Sequence, residues 1–125
     1  MIYTSYFARL KQLPETVVPI AICGKAPDWY KGQQFKVLAP KYDFFMAWKN
    51  NHDDDYYTKC FYEQVLAGLD PGNIVSQLYE LATIVNPNVT DICLMCYEKP
   101  TSFCHRHLVA DWLTANGFTC KEYEF

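Results

Sequence analysis

The apolar residues of this chain fall into short runs of β-branched and aromatic residues, separated by stretches with helical spacing. Strands are predicted from two early runs, MIYTSYF and VVPIAIC, and from the closing run TCKEYEF. A further strand is predicted from TDICLMCY, which is apolar on both of its alternating faces. Such a pattern is typical of a central strand covered by helices on both sides.

Four segments space their apolar residues at helical intervals. The third segment has the clearest start, because Asp70 is a good N-cap and Pro71 suits the first helical position. The fourth ends at Asn116-Gly117, a helix stop signal. The predicted helices are YDFFMAWKNN, DDDYYTKCFYEQVLAGL, DPGNIVSQLYELATIV and HRHLVADWLTANGF.

This order of elements predicts a single α/β domain over residues 1–125, with a small, mostly parallel sheet flanked by helices. Between the second strand and the first helix lies a long ordered loop, GKAPDWYKGQQFKVLAPKYD. Loops of that length are more often functional than idle. The acidic run Asp53–Asp55 is interpreted as a helix start on a solvated surface, in preference to a metal site.

Composition limits the classes of function. Half of the 125 residues are hydrophobic and 17% are aromatic, which is enough for a substantial core without disulfides. The net charge of −3 argues against an extended nucleic-acid surface, although a local basic pocket for one phosphate is compatible with it. No run is long enough to cross a membrane and no signal peptide is recognised, so we expect a cytoplasmic protein.

The six cysteines are expected to be mostly reduced and buried. Cys93 and Cys96 form a CxxC motif, which in other contexts indicates a redox or zinc site. Here the motif falls on a predicted strand, where residues three apart point to opposite faces. We therefore do not interpret it as a functional pair.

The stretch CYEKPTSFCHRHLVADWL joins the central strand to the last helix and carries the candidate chemistry. Loops at the carboxyl edge of an open α/β sheet are where ligands bind, and a helix start favours anions. Helical geometry turns His105 toward the core and His107 toward solvent. Thr101 or Ser102 is the expected N-cap of the helix.

Three residues of this stretch are candidate catalytic groups: Cys104 as a nucleophile, with His105 or Glu98 as its base. A structural histidine is the plain alternative for His105. Arg106 is a candidate anion-binding residue, and an Arg106–Glu98 ion pair is the alternative. A zinc site made of Cys96, Cys104 and His105, with Cys23 from a neighbouring strand end, also stays open.

The long loop supplies candidate ligand-binding residues. Trp29 or Tyr30 could stack on a base, while Lys25, Lys31 or Arg106 meets a phosphate. The plain alternative is that Trp29 and Tyr30 form a hydrophobic lid over the edge of the sheet.

The residues LMCYEKPTSFCHRHLVADWL resemble the C-terminal signature of the "domain of unknown function 488" family, in which Cys-x-Glu is followed by Cys-His-Arg. Three further segments, IYTSYF, APDWYKG and LAPK, resemble one small branch of that family. The resemblance implies an α/β domain of bacterial or phage type and no particular reaction. The early Asp-x-Arg segment of commoner members is absent; AICGKAPDWY, with Lys25, stands in its place. The matching signature positions are Cys96, Glu98, Cys104, His105 and Arg106.

Three functions are therefore weighed. The first is an enzyme or binding protein for a small anionic, nucleotide- or phosphate-like ligand, with hydrolase or transferase activity and no cofactor. The second is a non-enzymatic partner of another protein, which would use the ten tyrosines and the surface NNHDDDYY. The third is a domain stabilised by zinc. Oligomeric state is left open.

Overall fold

Five strands form one sheet in which every neighbouring pair is parallel. The computed structural model describes residues 1–125 and gives the strand order β3-β2-β4-β1-β5. The predicted α/β fold, with its small parallel sheet flanked by helices, is confirmed. The strands are β1 (Ile2–Tyr6), β2 (Val17–Ala21), β3 (Gln33–Gln34), β4 (Asp91–Cys96) and β5 (Cys120–Glu122).

Four α-helices follow the predicted order, and none of them is both long and apolar enough to cross a membrane. The second passes directly into a π-helical turn, Tyr62–Leu66, where one continuous helix was expected. Short 3-10 helices occupy Phe7–Gln12 and Lys36–Leu38. The α-helices are α1 (Tyr42–Asn51), α2 (Asp54–Phe61), α3 (Pro71–Val85) and α4 (His105–Ala115).

The predicted helix starts and stops depend on side chains that satisfy free backbone groups. The Asp70 carboxylate accepts a hydrogen bond from the Asn73 N–H at 2.9 Å, and Pro71 opens α3. Asp53 caps α2 in the same way, which agrees with its interpretation as a helix start. Beyond α4, Gly117 takes a φ of +90°, which glycine adopts without steric cost.

Strand β4 is central, as its apolar pattern predicts. It pairs with β1 on one side and β2 on the other, so that Ile92 lies between Ile2 and Val18. Its side chains alternate between two hydrophobic clusters. Leu94 packs with the helices, and Met95 packs on the opposite face.

The two faces of the sheet are covered differently, which corrects the expectation of helices on both sides. All four α-helices contribute to the core on one face. The opposite face is covered by the 3-10 helix that begins at Phe7 and by the loop that carries Ala26 and Tyr30. The reason is length: only ten residues join β1 to β2, too few for a packed crossover helix.

The long loop after β2 is less irregular than predicted. It includes β3, which pairs with β2, and the 3-10 turn Lys36–Leu38. The Tyr30 hydroxyl holds it to the sheet by donating to the carbonyls of Gln33 at 2.8 Å and Pro19 at 3.3 Å.

Loss of the α3 cap should destabilise the protein measurably. Asp70→Ala leaves the Asn73 N–H without its partner, and we expect the free energy of unfolding to fall by about 1 kcal/mol. Glu80→Ala, an exposed site on the same helix, is the matched control and should change it by less than about 0.5 kcal/mol. Urea denaturation measures both; equal losses would show that the cap is not responsible.

Candidate functional site

A pocket of about 690 Å³ opens at the carboxyl ends of β2 and β4. Strand β2 leads into it through Cys23, β4 ends at it with Cys96, and α4 begins beside it with His105. The predicted position of the site, at the sheet edge where ligands bind in open α/β folds, therefore coincides with a real cavity. Its lining residues are Cys23, Gly24, Lys25, Pro40, Tyr42, Phe45, Trp48, Lys49, Tyr57, Cys96, Tyr97, Glu98, Phe103, Cys104 and His105.

His105 projects inward, as helical geometry predicts, and only 6% of its surface is exposed. Its Nε2 lies 2.8 Å from the Ile22 carbonyl oxygen. A carbonyl can only accept, so Nε2 carries the hydrogen and the lone pair is on Nδ1. Burial, with a smaller contribution from the nearby charge of Arg106, lowers the pKa of His105 to about 4. The imidazole is therefore neutral at neutral pH. Its Nδ1 lies 3.9 Å from the Cys104 sulfur.

Cys96 and Cys104 converge on the same point. Their sulfur atoms are in direct contact, as in a disulfide, and both side chains are almost fully buried. Their Cα atoms are 7.7 Å apart, beyond the usual range of about 4.4 to 6.8 Å for disulfide-bonded cysteines. The two sulfurs thus meet across a backbone separation that is wider than in most disulfides. The ligand atoms of both cysteines and of His105 lie within 4.8 Å of each other.

The remaining cysteines play no part in this cluster. Cys93 is free and fully buried, so the CxxC motif is not a functional pair, as its position on a strand predicts. Cys60 and Cys120 are free and buried elsewhere in the core. Cys23 lines the pocket, but burial and the charge of Glu98 raise the pKa of its thiol.

Arg106 is fully buried and faces away from the pocket. It makes a two-pronged ion pair with Glu122, with Nε–Oε1 at 3.1 Å and Nη2–Oε2 at 3.0 Å. Its Nη1 donates to the Cys96 sulfur at 3.0 Å and to the backbone carbonyl of Glu98 at 2.6 Å. The alternative of an Arg106–Glu98 ion pair is wrong, because the carboxylate partner is Glu122. The structure does not bring this guanidinium to a ligand in the pocket.

Of the other predicted site residues, Glu98 and Lys25 line the pocket. The Tyr97 hydroxyl donates to the Lys25 carbonyl at 2.6 Å, which ties the two loops together at the rim. Trp29 and Tyr30 lie away from it, around a separate groove. Both rings pack edge-on against Phe7, so the structure does not bring them together with His105.

An aromatic wall of the pocket, formed by Trp48, Phe103 and Tyr57, was not predicted from the sequence. Trp48 of α1 stacks on Phe103, with ring centroids 5.7 Å apart and planes 24° apart. Tyr57 of α2 meets Phe103 edge-on at 5.0 Å. The signal was present in YDFFMAWKNN, where Phe45 and Trp48 are three residues apart and share one face of the helix.

Two details around α4 differ from expectation. His107 is half-buried rather than solvent-facing, and its Nε2 is shielded with no hydrogen-bond partner. Burial and the charge of Arg106 lower the pKa of His107. The N-cap position is Cys104, without a side-chain hydrogen bond, rather than Thr101 or Ser102.

The surface considered for a protein partner, NNHDDDYY, is exposed apart from Tyr57, and part of it is used by the chain itself. Asp54 accepts a hydrogen bond from Trp48 Nε1 at 2.7 Å, so the acidic run holds the aromatic wall as well as starting α2. Two of the exposed tyrosines, Tyr42 and Tyr97, line the pocket. Tyr56 and Tyr62 are also exposed.

A family model described as the active DUF488-N3 subclade matches residues 6–117. The protein belongs to the DUF488 family. The resemblance seen in the sequence is thereby confirmed, and the match includes the whole strand–loop–helix segment of the pocket. No curated protein and no solved structure matches this DUF488 chain.

Removing the buried guanidinium of Arg106 should lower the stability of the fold. Arg106→Met leaves the Glu122 carboxylate, 26% exposed, without its partner, and we expect the free energy of unfolding to fall by about 3 kcal/mol. Adding Glu122→Gln should restore part of the loss, because no unpaired charge then remains. Arg9→Met, the matched change nearer the surface, should cost less than about 1 kcal/mol. Similar losses at both arginines in denaturant melts would contradict this role.

The buried imidazole should make stability depend on pH. The unfolded chain takes up a proton near pH 6.5 and the folded chain only near pH 4, so stability is complete above 6.5 and falls as the pH drops between these values. The loss reaches about 3 kcal/mol for His105 in metal-free protein, with a smaller contribution from His107.

Chemical denaturation across this pH range measures the slope. His105→Asn should flatten it. His52→Asn should leave it unchanged, because His52 is exposed and its left-handed backbone conformation suits asparagine. A wild-type slope that survives in His105→Asn would contradict the assignment.

Proposed function

We propose that this DUF488 protein is an enzyme that binds a small, flat, anionic ligand of nucleotide type and catalyses a hydrolase or transferase reaction on it. One observation carries the proposal: two sulfurs, a neutral imidazole and a carboxylate line the same pocket as an aromatic wall and two lysines. Few clefts combine reactive groups with apolar binding surface in this way unless they bind a ligand.

The wall and the rim account for the ligand class. Trp48, Phe103 and Tyr57 offer ring faces and edges on which a planar base can stack, in the role first expected of Trp29 and Tyr30. Lys25 and Lys49 line the same pocket and supply positive charge for a phosphate.

The reactive groups differ in what they can do. Cys104 and His105 present sulfur and nitrogen lone pairs at the buried end of the pocket. A pKa of about 4 makes His105 a weak base at neutral pH, so it is poorly suited to take a proton from a thiol. Glu98 is the one carboxylate that lines the pocket and is the better group for proton transfer. We therefore propose Glu98 as the group for proton transfer, with the Cys104 sulfur and the His105 nitrogen as the lone-pair donors beside it.

The location proposed for this protein is the cytoplasm. Four of its cysteines are free and buried, which suits a reducing compartment. A role as a pure interaction protein has weaker support, because the exposed tyrosines Tyr42 and Tyr97 belong to the pocket.

Isothermal titration calorimetry with nucleoside mono-, di- and triphosphates tests the ligand class. We expect at least one nucleotide to bind, and Trp48→Leu and Lys25→Met each to weaken it by about tenfold, the contribution of one stacked base or charged contact. Trp29→Leu and Lys31→Met are the matched controls on the separate groove and should bind normally. Absence of binding at millimolar nucleotide, or equal losses in test and control variants, would rule the proposal out.

A further inference from the structure

We infer that Cys96, Cys104 and His105 form a binding site for one thiophilic divalent metal ion, with zinc the best match, and that its fourth coordination position opens into the pocket. The three residues come from the end of β4, the end of the following loop and the start of α4. Their ligand atoms are already gathered within 4.8 Å of one another. The binding site is inferred from these atoms alone, whereas its role in a reaction rests on the proposed function.

The spacing between the Cys104 sulfur and the His105 nitrogen is close to that of tetrahedral coordination. Zinc bonds of about 2.3 Å to sulfur and about 2.0–2.1 Å to nitrogen place neighbouring sulfur and nitrogen ligands roughly 3.6 Å apart. Cys104 Sγ and His105 Nδ1 are 3.9 Å apart. The two sulfurs are in direct contact and must part to bind one ion, and the wide Cα separation of Cys96 and Cys104, 7.7 Å, leaves room for this.

The groups behind the ligands are those a metal site requires. Histidines that bind metals usually donate their other ring N–H to a backbone carbonyl or a carboxylate, which fixes the free nitrogen toward the ion. His105 does this through Ile22. Arg106 donates to the Cys96 sulfur at 3.0 Å, a charge-assisted bond that stabilises the thiolate form.

The charges also balance. A divalent ion with two thiolates and one neutral imidazole carries no net charge, so this buried assembly avoids the cost of an uncompensated charge. Behind it, Arg106 is neutralised separately by Glu122. Cys23 stands outside the group of three ligand atoms, although it lines the same pocket.

Three protein ligands with an open fourth position are typical of a catalytic rather than a structural zinc site. An ion held by Cys96, Cys104 and His105 would supply Lewis-acid chemistry and activate a water molecule for hydrolysis. Glu98, the one carboxylate that lines the pocket, would take up the proton of that water while its oxygen bonds to an electrophilic carbon or phosphorus of the ligand. Glu98 would then return the proton to the departing group, so the reaction would need no oxidant or reductant.

Cobalt(II) added to reduced, chelator-treated protein is the test, because its absorption spectrum reports thiolate ligands and tetrahedral geometry directly. We expect one equivalent to bind with sulfur-to-cobalt charge-transfer bands and intense visible bands. Cys96→Ser, Cys104→Ser and His105→Asn should each weaken binding by at least about tenfold. Cys23→Ser is the matched control in the same pocket and should bind like the wild type.

Three results would overturn the inference: no binding by reduced wild-type protein, a spectrum without thiolate bands, or a loss in Cys23→Ser equal to that in Cys104→Ser. The cobalt spectrum of the wild-type protein tests the metal site even if a variant fails to fold. Circular dichroism identifies such a variant. Nucleotide binding measured on the same samples separates the two proposals. Nucleotide binding without cobalt binding refutes only the metal site, and the converse refutes only the proposed function.

Discussion

The buried guanidinium of Arg106 is the interaction on which the rest of the site depends. A fully buried arginine is tolerated only when its charge is paired and its donors are bonded, and both conditions are met by groups from separate parts of the fold. Glu122 of β5 supplies the charge, while Cys96 and the Glu98 carbonyl accept at the other end. Thr4 of β1 completes the set through its 2.6 Å bond to Glu122. Helix α4 is thereby fixed at its first turn to β4 and β5, and through Glu122 to β1.

Two neighbouring residues of α4 direct their side chains to different places. Arg106 points back into the sheet, and His105, one residue earlier, points to the pocket. The imidazole is fixed in turn by the carbonyl of Ile22, just beyond β2. The orientation of Nδ1 and of the Cys96 sulfur therefore follows from the packing of α4 on the sheet. The stability of the domain and the geometry of its site are consequently linked.

Much of the fold could be predicted because its signals are local. The cap at Asp70, the stop at Gly117 and the apolar pattern of β4 each follow from a few adjacent residues. The cluster of Cys96, Cys104 and His105 could also be predicted, because the three residues lie within ten residues of sequence and the strand–loop–helix pattern places them at a sheet edge.

The remaining features depend on contacts between distant segments. The stacking of Trp48 on Phe103 joins α1 to a loop 55 residues later, and no local pattern specifies it. The alternative of an ion pair for Arg106 likewise pointed to the nearby Glu98, whereas its partner is the more distant Glu122. Tyr30 was one candidate for stacking on the ligand, but it is buried against the opposite face of the sheet and does not line the pocket. Charge and aromaticity identified the residue types, and only tertiary packing decided which ones meet.

X-ray absorption at the zinc edge of reduced, zinc-loaded protein tests most directly whether Cys96, Cys104 and His105 bind one metal ion. It identifies the type and number of the atoms bound to zinc. The account predicts two sulfurs at about 2.3 Å, one imidazole nitrogen at about 2.0–2.1 Å and one further oxygen from the open position. A shell of light atoms without sulfur, or one with three or four sulfurs, would contradict it.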